Sequence, residues 1–84
     1  MNEREKLLLL LEQASTALVE TQKKLDKAEE VVADWDEATL RYKNKTLEEW
    51  KQKVAELKEK EKDAKQEVKE ARASFDRVVQ GILF

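Results

Sequence analysis

The sequence predicts an all-α protein: an antiparallel coiled-coil hairpin of two helices that pairs with a second copy into a four-helix assembly. Three observations support this fold class. Ala, Glu, Lys, Leu and Arg make up 51 of the 84 residues, which is the composition of long helices and coiled coils. Apolar residues recur at alternating steps of three and four in both halves of the chain, but in two different frames. A helix start signal falls where the frame changes.

The first helix is expected from about residue 3 to residue 42. Its apolar positions continue through five heptads, with Thr21 and Thr39 in the two gaps. They are Leu7, Leu11, Ala14, Leu18, Leu25, Ala28, Val32, Trp35 and Tyr42. A heptad repeat of this length is typical of a helix that packs along one side against another helix.

A turn is expected over residues 43–46. Thr46 precedes Glu49 by three positions, which is the spacing of a capping box at the start of a helix. Asn44 is the residue there best able to adopt the left-handed backbone conformation that often ends a helix. Because a short connection makes neighbouring helices antiparallel, the two halves should fold back on each other.

The second helix is expected from residue 47 to about residue 80. Its apolar positions are Leu47, Trp50, Val54, Leu57, Ala64, Val68, Ala71, Phe75, Val78 and Ile82. Glu61 fills the one gap in this series, and its carboxylate should extend out of the seam towards Lys58 or Lys65. The hairpin also sets Asp36 opposite Lys51, which favours this register and orientation.

Composition excludes most enzyme chemistry. The chain has no Cys, no His and one Gly. It therefore lacks thiolate nucleophiles, the commonest general base and metal ligand, and a glycine-rich loop for phosphates. We expect a protein that is not an enzyme and has no catalytic residue, no metal site, no cofactor and no small-molecule substrate.

The apolar residues outside the seam form the candidate interface. One flank of the first helix carries Leu10, Ala17, Val31 and Ala38. The open end of the hairpin adds Leu8, Leu9, Val79, Leu83 and Phe84. Since a two-helix hairpin buries each helix on one side only, we expect a second copy or another helix to cover these residues.

The function expected from these patterns is a non-enzymatic protein–protein interaction or oligomerisation module, with self-association into a homodimer or with a partner helix. The alternative is a nucleic-acid-binding hairpin that uses the basic row Lys51, Lys58, Lys65 and Arg72. This alternative is less favoured, because acids nearly balance the bases in that half and no aromatic residues are interleaved to stack on bases.

The one long apolar run, Leu7 to Leu11, bears on whether the chain could enter a membrane. It has five residues, too few to span a membrane, and two acids precede it. We expect no signal peptide, no membrane partner and a soluble intracellular protein. The apolar ending Gly-Ile-Leu-Phe suggests a domain of a longer protein.

Overall fold

The computed structural model describes residues 2–83, with side chains described as far as residue 81. Two helices, α1 (Glu3–Ala33) and α2 (Leu47–Leu83), pack against each other as a hairpin. The molecule measures 64 × 19 × 14 Å, the dimensions of two long helices lying side by side. The predicted all-α helical hairpin is therefore confirmed.

The start of α1 is fixed by a capping box that the heptad pattern does not reveal. The amide of Glu5 donates to Oδ1 of Asn2 at 2.8 Å, and the amide of Asn2 donates to Oε2 of Glu5 at 3.4 Å. Each bond satisfies a backbone donor that the first helical turn leaves unpaired. Glu3 and Glu5 also place negative charge at the positive end of the helix dipole.

The first helix ends at Ala33 and not at residue 42 as the heptads predict. Oδ1 of Asp36 accepts from the amide of Ala38 at 3.0 Å, and the amide of Thr39 donates to the Asp36 carbonyl at 2.9 Å. Asp favours such local turns over a helix interior. The last turn of α1 also contains no basic residue, so nothing there offsets the negative end of the helix dipole.

The connection between the two helices is the segment 34–46. The predicted turn lies at its end as a tight turn with two central residues. Tyr42 and Lys45 exchange backbone hydrogen bonds of 2.9 and 3.1 Å. Between them Lys43 and Asn44 have φ values of 50° and 65°. Positive φ at both central residues is the mark of a type I′ turn. Asn44 therefore adopts the expected left-handed conformation, although within a turn and not as the end of a helix.

The second helix begins at Leu47, as predicted. The amide of Glu49 donates to Oγ1 of Thr46 at 3.3 Å, which is one of the two bonds of the expected capping box. The helix continues to Leu83, three residues beyond the predicted end.

The buried residues lie in the half of the hairpin nearer the connection. The buried residues are Leu25, Ala28, Trp50, Leu57 and Ala64. All but Ala64 form one cluster, and Val31, Val32, Trp35 and Val54 pack against it. No described side chain of residues 2–24 or 65–81 is buried. The open end of the hairpin is thus the thinly packed end.

The cluster should determine stability. Replacing Leu57, which is 5 % exposed, with Ala leaves a cavity and should lower the free energy of unfolding by about 2–5 kcal/mol. The matched control is Leu40→Ala in the connection, where the leucine is 85 % exposed and the expected change is within about 0.5 kcal/mol. Urea unfolding followed by circular dichroism at one protein concentration measures both. Equal losses for the two variants would show that the cluster is not the main core.

The stability of the turn should depend on the residue at position 44: glycine should be accommodated, and a β-branched residue should be destabilising. Asn44→Gly keeps the left-handed conformation and should leave stability unchanged or slightly higher. Asn44→Val should lower the free energy of unfolding by about 1–2 kcal/mol, because the side chain disfavours positive φ. Comparison of the two melting curves tests the turn, and a valine variant as stable as the glycine variant would contradict it.

Candidate functional site

A ring of leucines surrounds α1 at the open end of the hairpin, and we call Leu8, Leu9 and Leu10 the leucine collar. Consecutive residues of a helix point about 100° apart, so these three side chains cannot face one partner helix together. Their exposed fractions are 41 %, 42 % and 54 %. Leu7 and Leu11, which flank the collar, are half-buried. The α2 helix therefore covers one side of an apolar turn and leaves the others in water.

Other apolar residues extend this surface unevenly. Val19 is 48 % exposed and follows Leu8 by eleven residues, or three helical turns, so both lie on one flank. Sequence analysis missed Val19 because it lies outside the heptad seam. Val79 of α2 is half-buried. Phe84 lies outside the described residues, and Leu83 lies in α2 but beyond the described side chains.

The predicted flank of α1 is not one continuous surface. Leu10 and Ala17 are exposed, seven residues apart on the same side of the helix. Val31 is half-buried and packs against the core cluster. Ala38 lies in the connection, because α1 ends at Ala33. The expectation that these four residues line one flank of the first helix is therefore wrong. Leu10 and Ala17 are the two that are exposed on one side of α1.

Three aromatic side chains hold the connection at the other end. Trp50 lies in the core cluster, and its indole Nε1–H donates to the Tyr42 carbonyl at 3.0 Å. The Trp35 indole Nε1–H donates to the Thr39 carbonyl at 3.1 Å. The rings of Tyr42 and Trp50 lie 5.9 Å apart between centroids, within the range of favourable aromatic contacts. These aromatic side chains thus pack together at the closed end of the hairpin, although Tyr42 itself is exposed.

These rings also line a cleft of about 560 Å³ that opens between the end of α1, the connection and the start of α2. We call it the aromatic cleft. Its wall on α1 includes Ala28 and Val31, whose small side chains leave room between the helices. Charged side chains from all three segments complete the lining. Heptad analysis could not find this cleft, because it treats residues 34–42 as helix.

The basic row of α2 lies in solvent. Lys51, Lys58, Lys65 and Arg72 are all exposed. Among the described residues the ion pairs are Lys51 with Glu48 at 3.9 Å and Lys65 with Glu61 at 3.4 Å. Both pairs lie within α2, so the predicted pair between Asp36 and Lys51 is not formed. The lysines that lie over aromatic rings are Lys43 and Lys45, which are not members of this row.

Glu61 behaves as the sequence predicts. Its side chain is 23 % exposed, and its carboxylate reaches Lys65. The charge thus leaves the seam along the helix surface and does not face inward.

No protein family model, no curated protein and no solved structure matches this chain. Neither helix has an apolar stretch long enough to cross a membrane within the described residues.

Replacing Glu61 with Leu should extend the core towards the open end. A half-buried ion pair contributes little, whereas a leucine in the seam removes apolar surface from water. The free energy of unfolding should rise by about 1 kcal/mol. Glu59→Leu, at an exposed position of the same helix, is the control and should change it by less than about 0.5 kcal/mol. Thermal unfolding distinguishes them, and destabilisation by Glu61→Leu would show that the carboxylate supports the packing.

Proposed function

We propose that this protein is a non-enzymatic self-association module in which two hairpins pair through their leucine collars into a four-helix coiled-coil assembly. The exposure of Leu8, Leu9 and Leu10 on different sides of one helical turn carries this proposal. A helix that is apolar all round is normally buried on all sides. The α2 helix covers one side of this turn, so further helices are needed to bury the leucines on its other sides.

A second copy is the occupant that fits this surface best. A two-fold dimer brings the same collar to both sides of the interface and doubles the buried leucines. The other long helix faces are rich in charge of both signs and the chain has a net charge of −2, so repulsion between copies is small. A dimer also adds packing at the end of the hairpin that has no buried side chain among residues 2–24.

The collar leucines supply part of the free energy that a dimer needs. About half of each collar side chain is already covered, so burying the rest contributes about 1 kcal/mol per leucine. Six leucines in a two-fold dimer then contribute about 6 kcal/mol, which lies within the estimated entropy cost of association. Val19, Ala17 and the apolar end of α2 must supply the surplus. We therefore expect dissociation at micromolar concentrations and not a permanent dimer.

Light scattering combined with size-exclusion chromatography tests this directly. At high micromolar concentration the protein should have twice its monomer mass of 9.8 kDa, and dilution should lower the mass. Leu9→Glu with Leu10→Glu should give a helical monomer at every concentration, because a dimer would bury four carboxylates without partners.

Leu40→Glu is the matched control, because it places the same acid on a more exposed leucine in the connection. This variant should keep the dimer mass of the parent. A parent protein that stays monomeric at high micromolar concentration would refute self-association. A collar variant that keeps the dimer mass would place the interface elsewhere.

A further inference from the structure

The aromatic cleft lies far from the leucine collar and has a chemistry of its own. Its volume of about 560 Å³ is within the range of small-molecule sites in proteins. Trp35, Tyr42 and Trp50 contribute the apolar lining. Both indole N–H groups are already bonded to backbone carbonyls, so the rings offer a ligand apolar contact and little polar recognition.

Lysines approach the cleft from both helices. Lys24 and Lys27 line it from α1, and Lys53 lines it from α2. Lys53 is half-buried, and none of the three forms an ion pair within 4.0 Å among the described residues. Lys24 and Lys27 are exposed, and an ammonium that has no ion-pair partner gains from an anion placed nearby.

The acids of the cleft are placed differently. Glu30 lies in the last turn of α1, and Asp34 and Asp36 follow in the first residues of the connection. Asp36 already accepts the amide of Ala38 at 3.0 Å. Lysines line the cleft from both helices and, through Lys43, from the connection, and they outnumber the acids four to three, so a negative group between the helices is favoured.

A cationic ligand fits the rings less well. Aromatic faces attract cations, but lysines of the chain itself already occupy this position. Nζ of Lys43 lies 5.5 Å from the centroid of Tyr42, and Nζ of Lys45 lies 4.9 Å from that of Trp50. A second cation would meet repulsion from these ammonium groups.

We propose that the aromatic cleft is a binding site for a planar aromatic molecule that carries one negative charge, such as an aromatic carboxylate. The rings of the cleft contact its apolar body, and Lys53 with Lys24 and Lys27 supplies the counter-charge. This site is independent of the self-association surface.

The test uses the full chain and sodium 2-naphthoate as the probe. The protein has two tryptophans and both line the cleft, so their indole N–H signals in ¹H–¹⁵N spectra report on it alone. Both signals should shift saturably with 2-naphthoate. The neutral 2-naphthalenemethanol and the cationic 2-naphthylmethylammonium have the same ring system and should bind at least about threefold more weakly.

Variants distinguish binding in the cleft from non-specific binding elsewhere on the protein. Lys53→Met keeps an unbranched apolar side chain without the charge and should weaken 2-naphthoate binding about three- to fivefold. Lys58→Met, at an exposed position of α2 outside the cleft lining, should leave it unchanged. Leu9→Glu with Leu10→Glu should also leave it unchanged, whether or not the parent protein dimerises.

Three results would overturn the proposal. The first is an absence of saturable shifts in the indole signals. The second is equal affinity for the three naphthalene probes, which would show apolar adsorption only. The third is a Lys53→Met variant that binds as tightly as the parent while its circular dichroism spectrum is unchanged.

Discussion

The indole of Trp50 joins the packing of the two helices to the path of the connection. Its ring lies in the core cluster with Leu25, Ala28 and Leu57, and its N–H donates to the Tyr42 carbonyl at 3.0 Å. A buried indole needs a partner for its one donor. Here the partner belongs to the tight turn, so the same side chain fixes both the start of α2 and the position of the connection. The aromatic cleft exists because this connection is held beside the helices.

Packing decreases from the closed end to the open end. The buried core cluster surrounds Trp50, whereas residues 2–24 have no buried side chain among those described. Few buried contacts and many solvent-exposed backbone hydrogen bonds are typical of segments that open at low free-energy cost. The open end therefore gains most from any contact that covers its leucines, and this asymmetry is the physical basis of the proposed pairing.

Periodicity predicts the helical seam well and predicts the end of α1 poorly. The start of α2, the left-handed Asn44 and the outward path of Glu61 all follow from local rules on capping, turns and charge burial. The heptad pattern continues through Trp35 and Tyr42, although the helix stops at Ala33. These two aromatic residues pack at the closed end of the hairpin, but their backbone is not helical. The Asp residues on both sides of Trp35 were the signal of a break, since their side chains compete for backbone amides. The cleft could not be predicted, because it depends on this break.

The two proposed surfaces respond differently to protein concentration. The proposed self-association would stabilise the folded hairpin by mass action, so the apparent stability of the open end would increase with the amount of protein. A ligand in the aromatic cleft acts on a part of the hairpin that is already well packed, and its effect depends on ligand concentration alone. Leu10 of the collar and Lys24 of the cleft lie fourteen residues apart on α1, or about 21 Å. This distance exceeds two Debye lengths at physiological salt, so charge at one surface has little influence on the other. Each surface can therefore be altered without changing the chemistry of the other, provided that Trp50 and its hydrogen bond stay in place.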